Sequence, residues 1–180
     1  MEKISIYYSD SYDDKSSRSL LKIAASQHIG THPSDIIIGG ERGQKPYFKN
    51  YTAIHFSVSH SGKIWAAAFA NDEVGFDVQD LSHSRDCLKI AERFFSDNEI
   101  NAVRSSCDII KAFTEIWSRK EAVVKLFGIG IDSKFKGFDS TKDVIEFFGE
   151  KVFIKDISCF ENMASAIAYK SDFEIEFIKL

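Results

Sequence analysis

The chain has 180 residues, 44% of them hydrophobic, and is long enough to bury a core as one domain or as two small halves. Its net charge of −4 argues against broad nucleic-acid binding, which needs a basic surface, so we expect no nucleic-acid partner. The scattered cysteines, the absence of a signal-like N-terminus and the short length of the longest apolar run, IWAAAFA, predict a cytoplasmic protein with no membrane association.

The first half is predicted to contain strands and one helix. KISIYYS, from Lys3, alternates like a strand, and SSRSLLKIAASQHI has apolar residues at helical spacing. THPSDIIIGG is typical of a turn, a short strand and a Gly-Gly stop. Residues 53–80 predict three short strands, broken at HSGK and ANDE.

The segment FSVSHSG is the first candidate for chemistry. Strand alternation sends Ser57 and Ser59 to one face and leaves His60 at the strand end. Hydroxyls and an imidazole can bind a phosphate, although Ser and His are also common beside turns. Because there is no GxSxG motif, a hydrolase triad is poorly supported.

The segment VGFDVQD is the second candidate. Gly75, Asp77 and Gln79 share one strand face, so two oxygen donors lie beside a residue that leaves room for a close approach. Such donors suit Mg²⁺, which usually takes one or two carboxylates and substrate phosphates. A solvated face on an edge strand is an equally good interpretation.

The second half is predicted to be helical first and strand-rich afterwards. Ser96 and Glu99 fit a capping box at a helix start. A longer helix runs roughly from Lys111 to Phe127 and is ended by Gly128 and Gly130. The C-terminal third predicts three or four antiparallel strands with hairpin turns. Strands on both sides of the helices favour an α+β fold over a doubly wound sheet.

The long helix carries charged residues beside its apolar stripe. Glu121 and Lys125 lie one turn apart on the shoulder of the stripe, and Lys120 projects near its middle, where an ordinary core would have Leu. An ion pair on a helix edge explains Glu121 and Lys125 when the helix is taken alone. If Glu121 faces Asp77, two carboxylates converge, and a cation between them would relieve their repulsion.

Five segments in order, GQKPYF, FSVSHSG, VGFDVQ, AERFFSDNE and WSRKEAVVKLFGIGI, resemble the motifs of the 4′-phosphopantetheinyl transferases of the monomeric type. The resemblance extends from about Arg18 to about Phe138. It implies transfer of the 4′-phosphopantetheine group of coenzyme A to a serine of an apo acyl or peptidyl carrier protein, with release of adenosine 3′,5′-bisphosphate. Such carriers serve fatty-acid, polyketide and nonribosomal peptide synthesis.

The resemblance also implies a fold. We expect two similar α+β halves with mainly antiparallel sheets, related by pseudo-twofold symmetry, and coenzyme A in the cleft between them. The halves are predicted to be residues 1–78 and 79–180 of one compact unit, and the protein is expected to be a monomer.

The same resemblance assigns roles to particular residues. Asp77 and Glu121 match the family's magnesium ligands, and Gln79 falls where a second strand carboxylate usually stands. Lys125 matches the lysine that contacts the phosphates and supports the transition state. The residues that match those holding the nucleotide are Arg18, Lys45, Ser59 and His60. We expect Mg²⁺, with Mn²⁺ as an alternative, and a base that is Glu121 itself or a metal-bound water.

Two other functions remain open at the sequence level. Gln79 keeps an oxygen but loses one negative charge, so the chain could be a coenzyme A or carrier-binding paralogue with impaired catalysis. It could also be a metal-dependent phosphoesterase that uses Asp77 and Glu121 on water. The intact spacing from Glu121 to Lys125 favours the transferase.

A basic and apolar helix face is a candidate docking surface for an acidic carrier protein. SRDCLKIAERFF offers Arg85, Lys89 and Arg93 together with Leu88 and Ile90. An ordinary amphipathic helix explains these residues equally well.

Overall fold

The computed structural model describes residues 1–13, 15–41, 43–82, 86–130 and 133–180. Arg85 of the predicted docking surface lies outside these residues, as does Ile131 of the last motif. None of the helices in the described ranges is long and apolar enough to span a membrane.

The first sheet has the strand order β10-β1-β5-β4. Its strands are β1 (Glu2–Ser9), β4 (His55–Ser61), β5 (Ile64–Ala70) and β10 (Phe173–Lys179). The run IWAAAFA is β5, and its small apolar side chains suit a strand that is paired on both sides. A separate two-stranded ribbon consists of β2 (Ile38–Gly39) and β3 (Tyr47–Phe48).

The second sheet has the order β6-β9-β8-β7, and every pair in it is antiparallel. Its strands are β6 (Gly75–Asp80), β7 (Val144–Phe147), β8 (Glu150–Ile157) and β9 (Met163–Tyr169). The helices are α1 (Ser17–Ile29), α2 (Cys87–Phe94), α3 (Asp97–Ser105) and α4 (Ile109–Leu126). Two short 3₁₀ turns span Pro33–Asp35 and Ser133–Lys136.

Three hydrophobic cores hold these elements together. Alternate residues of the strands face opposite sides of each sheet. In the first sheet, Ile6 therefore packs in a middle core with Phe76 and Ile167 of the second sheet, while Tyr7 packs in an outer core with α1. The third core lies between the second sheet and the helices α2–α4. Each half thus has one four-stranded sheet with a helix packed on it, and the predicted α+β fold with two halves is confirmed.

Of the three or four antiparallel strands predicted for the C-terminal third, β7, β8 and β9 pair antiparallel, but β10 does not. After β9 the chain leaves the second sheet, and β10 pairs in parallel with β1, from Glu2 opposite Phe173 to Tyr8 opposite Lys179. Phe173 is 1% exposed and packs in the middle core, and the burial of its side chain stabilises this long-range pairing. The division at residues 78 and 79 stays a prediction, but strand pairing places β6 in the second sheet and β10 in the first.

The two halves meet where β4 runs beside β6. Serine hydroxyls, rather than a backbone ladder, join the two strands. The N–H groups of β6 donate to them in step, Phe76 to Ser57 at 3.0 Å, Val78 to Ser59 at 3.3 Å and Asp80 to Ser61 at 2.9 Å. The serine face of β4 predicted by alternation therefore lies against β6.

Lys120 in the apolar stripe of α4 is explained by a buried partner. Its ammonium and the carboxylate of Glu99 are both 0% exposed and lie 2.9 Å apart. Glu99 also completes the predicted capping box with Ser96, so one carboxylate caps α3 and binds α4. The Phe138 carbonyl accepts a further hydrogen bond from Lys120, at 2.9 Å. A buried charge of this kind needs such a complete set of partners.

Candidate active site

A close contact between α4 and β6 sets the position of the site. A Cβ atom at Gly75 would lie 1.8 Å from the carbonyl oxygen of Ala122 and 2.6 Å from the amide nitrogen of Leu126. Only glycine allows the helix backbone to approach the strand so closely. Glu121 and Lys125 flank this contact on the helix, so the packing brings them to the strand face that carries Asp77.

Asp77 is the centre of the polar cluster and is 1% exposed. Its Oδ1 atom accepts hydrogen bonds from the Lys125 ammonium and the Ser59 hydroxyl, each at 2.7 Å. Its Oδ2 atom accepts one from the Gln79 amide at 2.9 Å. The interpretation of this strand face as a solvated edge is therefore wrong for Asp77. Lys125 and Asp77 form an ion pair between the helix and the strand.

Glu121 lies close enough to Asp77 for their charges to interact. The pKa of the Glu121 carboxyl is raised to about 7, first because burial disfavours its charged form and second because the Asp77 carboxylate is near. The Lys125 ammonium offsets part of this effect. A carboxyl group with a pKa near neutrality can accept or release a proton under ordinary conditions, as a general acid or base must.

The cluster offers hard oxygen donors for a divalent cation. Asp77 on β6 and Glu121 on α4 supply two carboxylates, and the Gln79 side chain, which contacts Asp77 through its amide nitrogen, also has an amide oxygen. Within the described part of the chain, no group of three or more His, Cys, Asp or Glu side chains could hold a metal ion. The residues present fit Mg²⁺, because this ion is usually held by one or two protein carboxylates while water and substrate phosphates complete its shell.

A cavity of about 310 Å³ opens between the two halves beside this cluster. Lys45 and Val58 of the first half line it, as do Lys125 and Gly128 of the second. Two lysines thus line one cavity from different halves, which suits a ligand with several negative charges. The expected cleft between the halves is present.

The predicted nucleotide-binding residues are not all brought together. Ser59 is buried against Asp77 and Lys125, so its hydroxyl already has partners. His60 is exposed, and its ring centre lies 4.7 Å from that of Tyr12. Arg18 is exposed on α1 and donates to the Ile38 carbonyl at 3.4 Å. Nucleotide binding by Ser59, His60 and Arg18 stays a prediction.

The sequence did not reveal the role of Glu73. Its carboxylate pairs with Lys45 through Oε2 and with the His55 ring at 3.0 Å through Oε1. The segment ANDE, which ends in Glu73, has the composition of an ordinary turn. No local pattern indicated that a carboxylate in this turn would reach a lysine 28 residues away.

Comparison with known proteins places this geometry in a family. Residues 73–171 match a family profile described as the 4′-phosphopantetheinyl transferase superfamily. This range contains Asp77, Gln79, Glu121 and Lys125, the polar cluster between β6 and α4.

Individual relatives with similar sequences carry the same family name. A 4′-phosphopantetheinyl transferase of Bacillus subtilis is 29% identical over 121 residues, which are 66% of this chain and 53% of the relative. The 4′-phosphopantetheinyl transferase psf-1 of Bacillus pumilus is 36% identical over 105 residues, 57% of this chain and 44% of the relative. AcpT of Salmonella typhi, another 4′-phosphopantetheinyl transferase, is 35% identical over 100 residues, 53% of this chain and 51% of the relative.

The chain therefore spans about half the length of the curated relatives it matches. The family profile nevertheless covers more than half of this chain, including β6 and α4, which carry Asp77, Gln79, Glu121 and Lys125. By these observations the chain belongs to the 4′-phosphopantetheinyl transferase superfamily.

Proposed function

We propose that this protein transfers the 4′-phosphopantetheine group of coenzyme A to a serine of an apo acyl or peptidyl carrier protein, in a Mg²⁺-dependent reaction that releases adenosine 3′,5′-bisphosphate. The serine oxygen attacks the β-phosphorus, the bond between that phosphorus and the bridging oxygen breaks, and the bisphosphate leaves. The single observation that carries this proposal is the meeting of Asp77, Glu121 and Lys125 beside a cavity between the halves.

Asp77 and Glu121 would hold the divalent cation, with Mn²⁺ as an alternative to Mg²⁺ and with the Gln79 oxygen as a third donor. When bound, the ion would act as a Lewis acid that neutralises negative charge on the diphosphate oxygens. The amide nitrogen of Gln79 donates a hydrogen bond to Asp77. The amide oxygen of Gln79 is a separate acceptor and would be the atom that binds the cation.

Lys125 and Glu121 have separate tasks in the proposed reaction. Phosphoryl transfer needs positioning and charge neutralisation more than covalent help from the protein. The Lys125 ammonium, on the wall of the cavity, would contact the phosphates as negative charge moves to the leaving oxygen. Glu121, with its pKa near 7, would take the proton of the attacking serine, directly or through water.

Lys45 would bind the nucleotide from the opposite side of the cavity, together with Ser59, His60 and Arg18 around it.

The carrier protein would approach the outer helices. Of the predicted docking surface, Lys89 is exposed and pairs with Asp86 at 2.6 Å, and the Arg93 guanidinium lies 5.0 Å above the Phe94 ring. If this face binds the carrier, Arg85→Glu with Lys89→Glu will raise the KM for the carrier; an unchanged KM would exclude the surface.

Mass spectrometry of an apo carrier, incubated with the protein, coenzyme A and Mg²⁺, tests the proposal. A transferase adds the mass of one phosphopantetheine group to the carrier. A phosphoesterase would release adenosine bisphosphate without any carrier, and a binding protein would do neither. Asp77→Asn should abolish the mass gain, whereas Asp97→Asn, which removes an exposed carboxylate in the first turn of α3, should keep it.

The setting proposed for this activity is the cytoplasm, and the proposed active form is a monomer. Both halves of the cavity come from a single chain, so a second copy is not needed to complete it.

A further inference from the structure

Lys45 contributes to the lining of two neighbouring cavities. One is the cavity of about 310 Å³ that Lys125 also lines. The other is a cavity of about 300 Å³ that Glu73 and His55 line. The ammonium of Lys45 donates to the carboxylate of Glu73, which lines the second cavity, and, at 2.9 Å, to the Val74 carbonyl.

The stem of Lys45 is held in place independently of Glu73. A Cβ atom at Gly128 would lie 3.6 Å from the Lys45 Cβ and 3.8 Å from its Cδ, so the stem packs across the glycine just beyond α4. The Val74 carbonyl fixes the ammonium as well. Removal of the Glu73 charge therefore leaves two contacts that keep Lys45 at the cavity wall.

The Glu73 carboxylate forms an ion pair with the Lys45 ammonium and so competes with any anionic ligand for it. The Lys45 side chain is only 19% exposed, so this ion pair is less screened than a pair on the surface. Glu73 itself is held from its other oxygen by His55. In the free protein, the positive charge of Lys45 is thus balanced before any phosphate arrives.

We propose, on the basis of the proposed function, that Glu73 limits nucleotide affinity by competing with the nucleotide phosphates for the Lys45 ammonium. A phosphate that binds in the cavity between the halves must displace the carboxylate or share the ammonium with it. Neutralising Glu73 removes this competitor and leaves Lys45 anchored, so it strengthens nucleotide binding.

The Glu73→Gln variant is suitable for the test because the Glu73 side chain is 41% exposed. Its partner Lys45 is largely buried but keeps the hydrogen bond to the Val74 carbonyl, so the ammonium is not left without an acceptor. The single amide oxygen of glutamine can still accept a hydrogen bond from Lys45, and its NH₂ group can donate to a neutral His55 ring nitrogen. The variant is therefore expected to fold.

Calorimetric titration with adenosine 3′,5′-bisphosphate, in EDTA and at low ionic strength, measures the effect. The Kd of Glu73→Gln should be about fivefold lower than that of the wild type, the size of a partly exposed ion pair. The gain should shrink as salt is added. Glu115→Gln makes the same change in net charge at an exposed site on α4 and should leave the Kd unchanged.

A second variant separates the action of Glu73 through Lys45 from a general charge effect. In a Lys45→Met background, Glu73→Gln should no longer improve binding. An unchanged or higher Kd in Glu73→Gln, or an equal gain without Lys45, would overturn the inference. If the wild type binds the bisphosphate and modifies a carrier while Glu73→Gln gains nothing, only this inference is wrong; if no variant binds the nucleotide and the wild type modifies no carrier, the proposed function is wrong as well.

Discussion

At the scale of single residues, the site is organised around the Asp77 carboxylate. Lys125, Ser59 and Gln79 together donate three hydrogen bonds to it, and the side chain is almost completely buried. Charge-assisted hydrogen bonds of this kind stabilise a carboxylate that has lost its water. The cluster therefore tolerates a buried negative charge before any cation binds, and glutamine at position 79 adds no further charge to it.

Gln79→Glu tests whether residue 79 contributes to metal binding. The added carboxylate should lower the Mg²⁺ concentration that gives the half-maximal transfer rate, since Mg²⁺ affinity increases with the charge of its ligands. Asn101→Asp adds the same charge on the exposed side of α3 and should leave the Mg²⁺ requirement as it is. An unchanged or higher Mg²⁺ requirement in Gln79→Glu would count against ligation at this position.

The pKa of Glu121 predicts how stability depends on pH. Its value is raised from 4.5 to about 7 in the folded chain. Between these values the folded chain holds a proton that the unfolded chain has released, so the free energy of unfolding falls as pH rises through this range and levels off above it. Urea unfolding in EDTA at about pH 5 and about pH 8 should show this fall, and Glu121→Gln should reduce it. An identical pH dependence in the two proteins would contradict the burial of Glu121.

At the scale of elements, the close approach of α4 to β6 decides whether the site forms. The contact depends on Gly75, because any side chain there would meet the backbone of the helix. Movement of α4 would separate Lys125 from Asp77 without changing either residue.

Gly75→Ala should therefore abolish or strongly reduce transfer and lower stability by a few kcal/mol, the range of an overpacked core. Intact-mass measurement of the carrier and urea unfolding report the two effects. Gly30→Ala is the matched control, since Gly30 ends α1 at φ 78 with no atom within 4 Å of the added Cβ. It should cost about 1 kcal/mol and keep the transfer activity. Full activity in Gly75→Ala would show that the helix position is not critical.

Elements with strong local signals were predictable from the sequence, and contacts between distant residues were not. The helical stripe placed α4 within two residues, and the spacing of Ser96 and Glu99 identified the capping box. Lys120 was visible as an anomaly in the stripe, but its partner lay in another helix. The parallel pairing of β10 with β1 and the pairing of Glu73 with Lys45 depend on the tertiary fold, which local periodicity does not encode.

At the scale of the whole molecule, the two halves are joined by a shared strand pairing and a shared core, so we expect them to unfold together. β10 returns from the second half to the first sheet, and the middle core takes side chains from both sheets. Each half happens to contain one tryptophan, Trp65 in β5 and Trp117 in α4. Fluorescence of each tryptophan can therefore report on its own half.

Single-tryptophan variants, Trp65→Phe and Trp117→Phe, should each show one unfolding transition, with the fluorescence midpoint equal to the midpoint from circular dichroism of the same variant. The shared middle core makes separate unfolding of one half costly. A fluorescence transition that precedes the loss of helical signal in either variant would show that the halves are independent.

The central claim is that Asp77 and Glu121 jointly hold one divalent cation at the site of transfer. Electron paramagnetic resonance of Mn²⁺ with coenzyme A present measures this binding directly. The wild type should bind one Mn²⁺ per chain, and Asp77→Asn and Glu121→Gln should each weaken binding at least about tenfold while the protein stays folded. Wild-type Mn²⁺ affinity in either folded variant would contradict the claim.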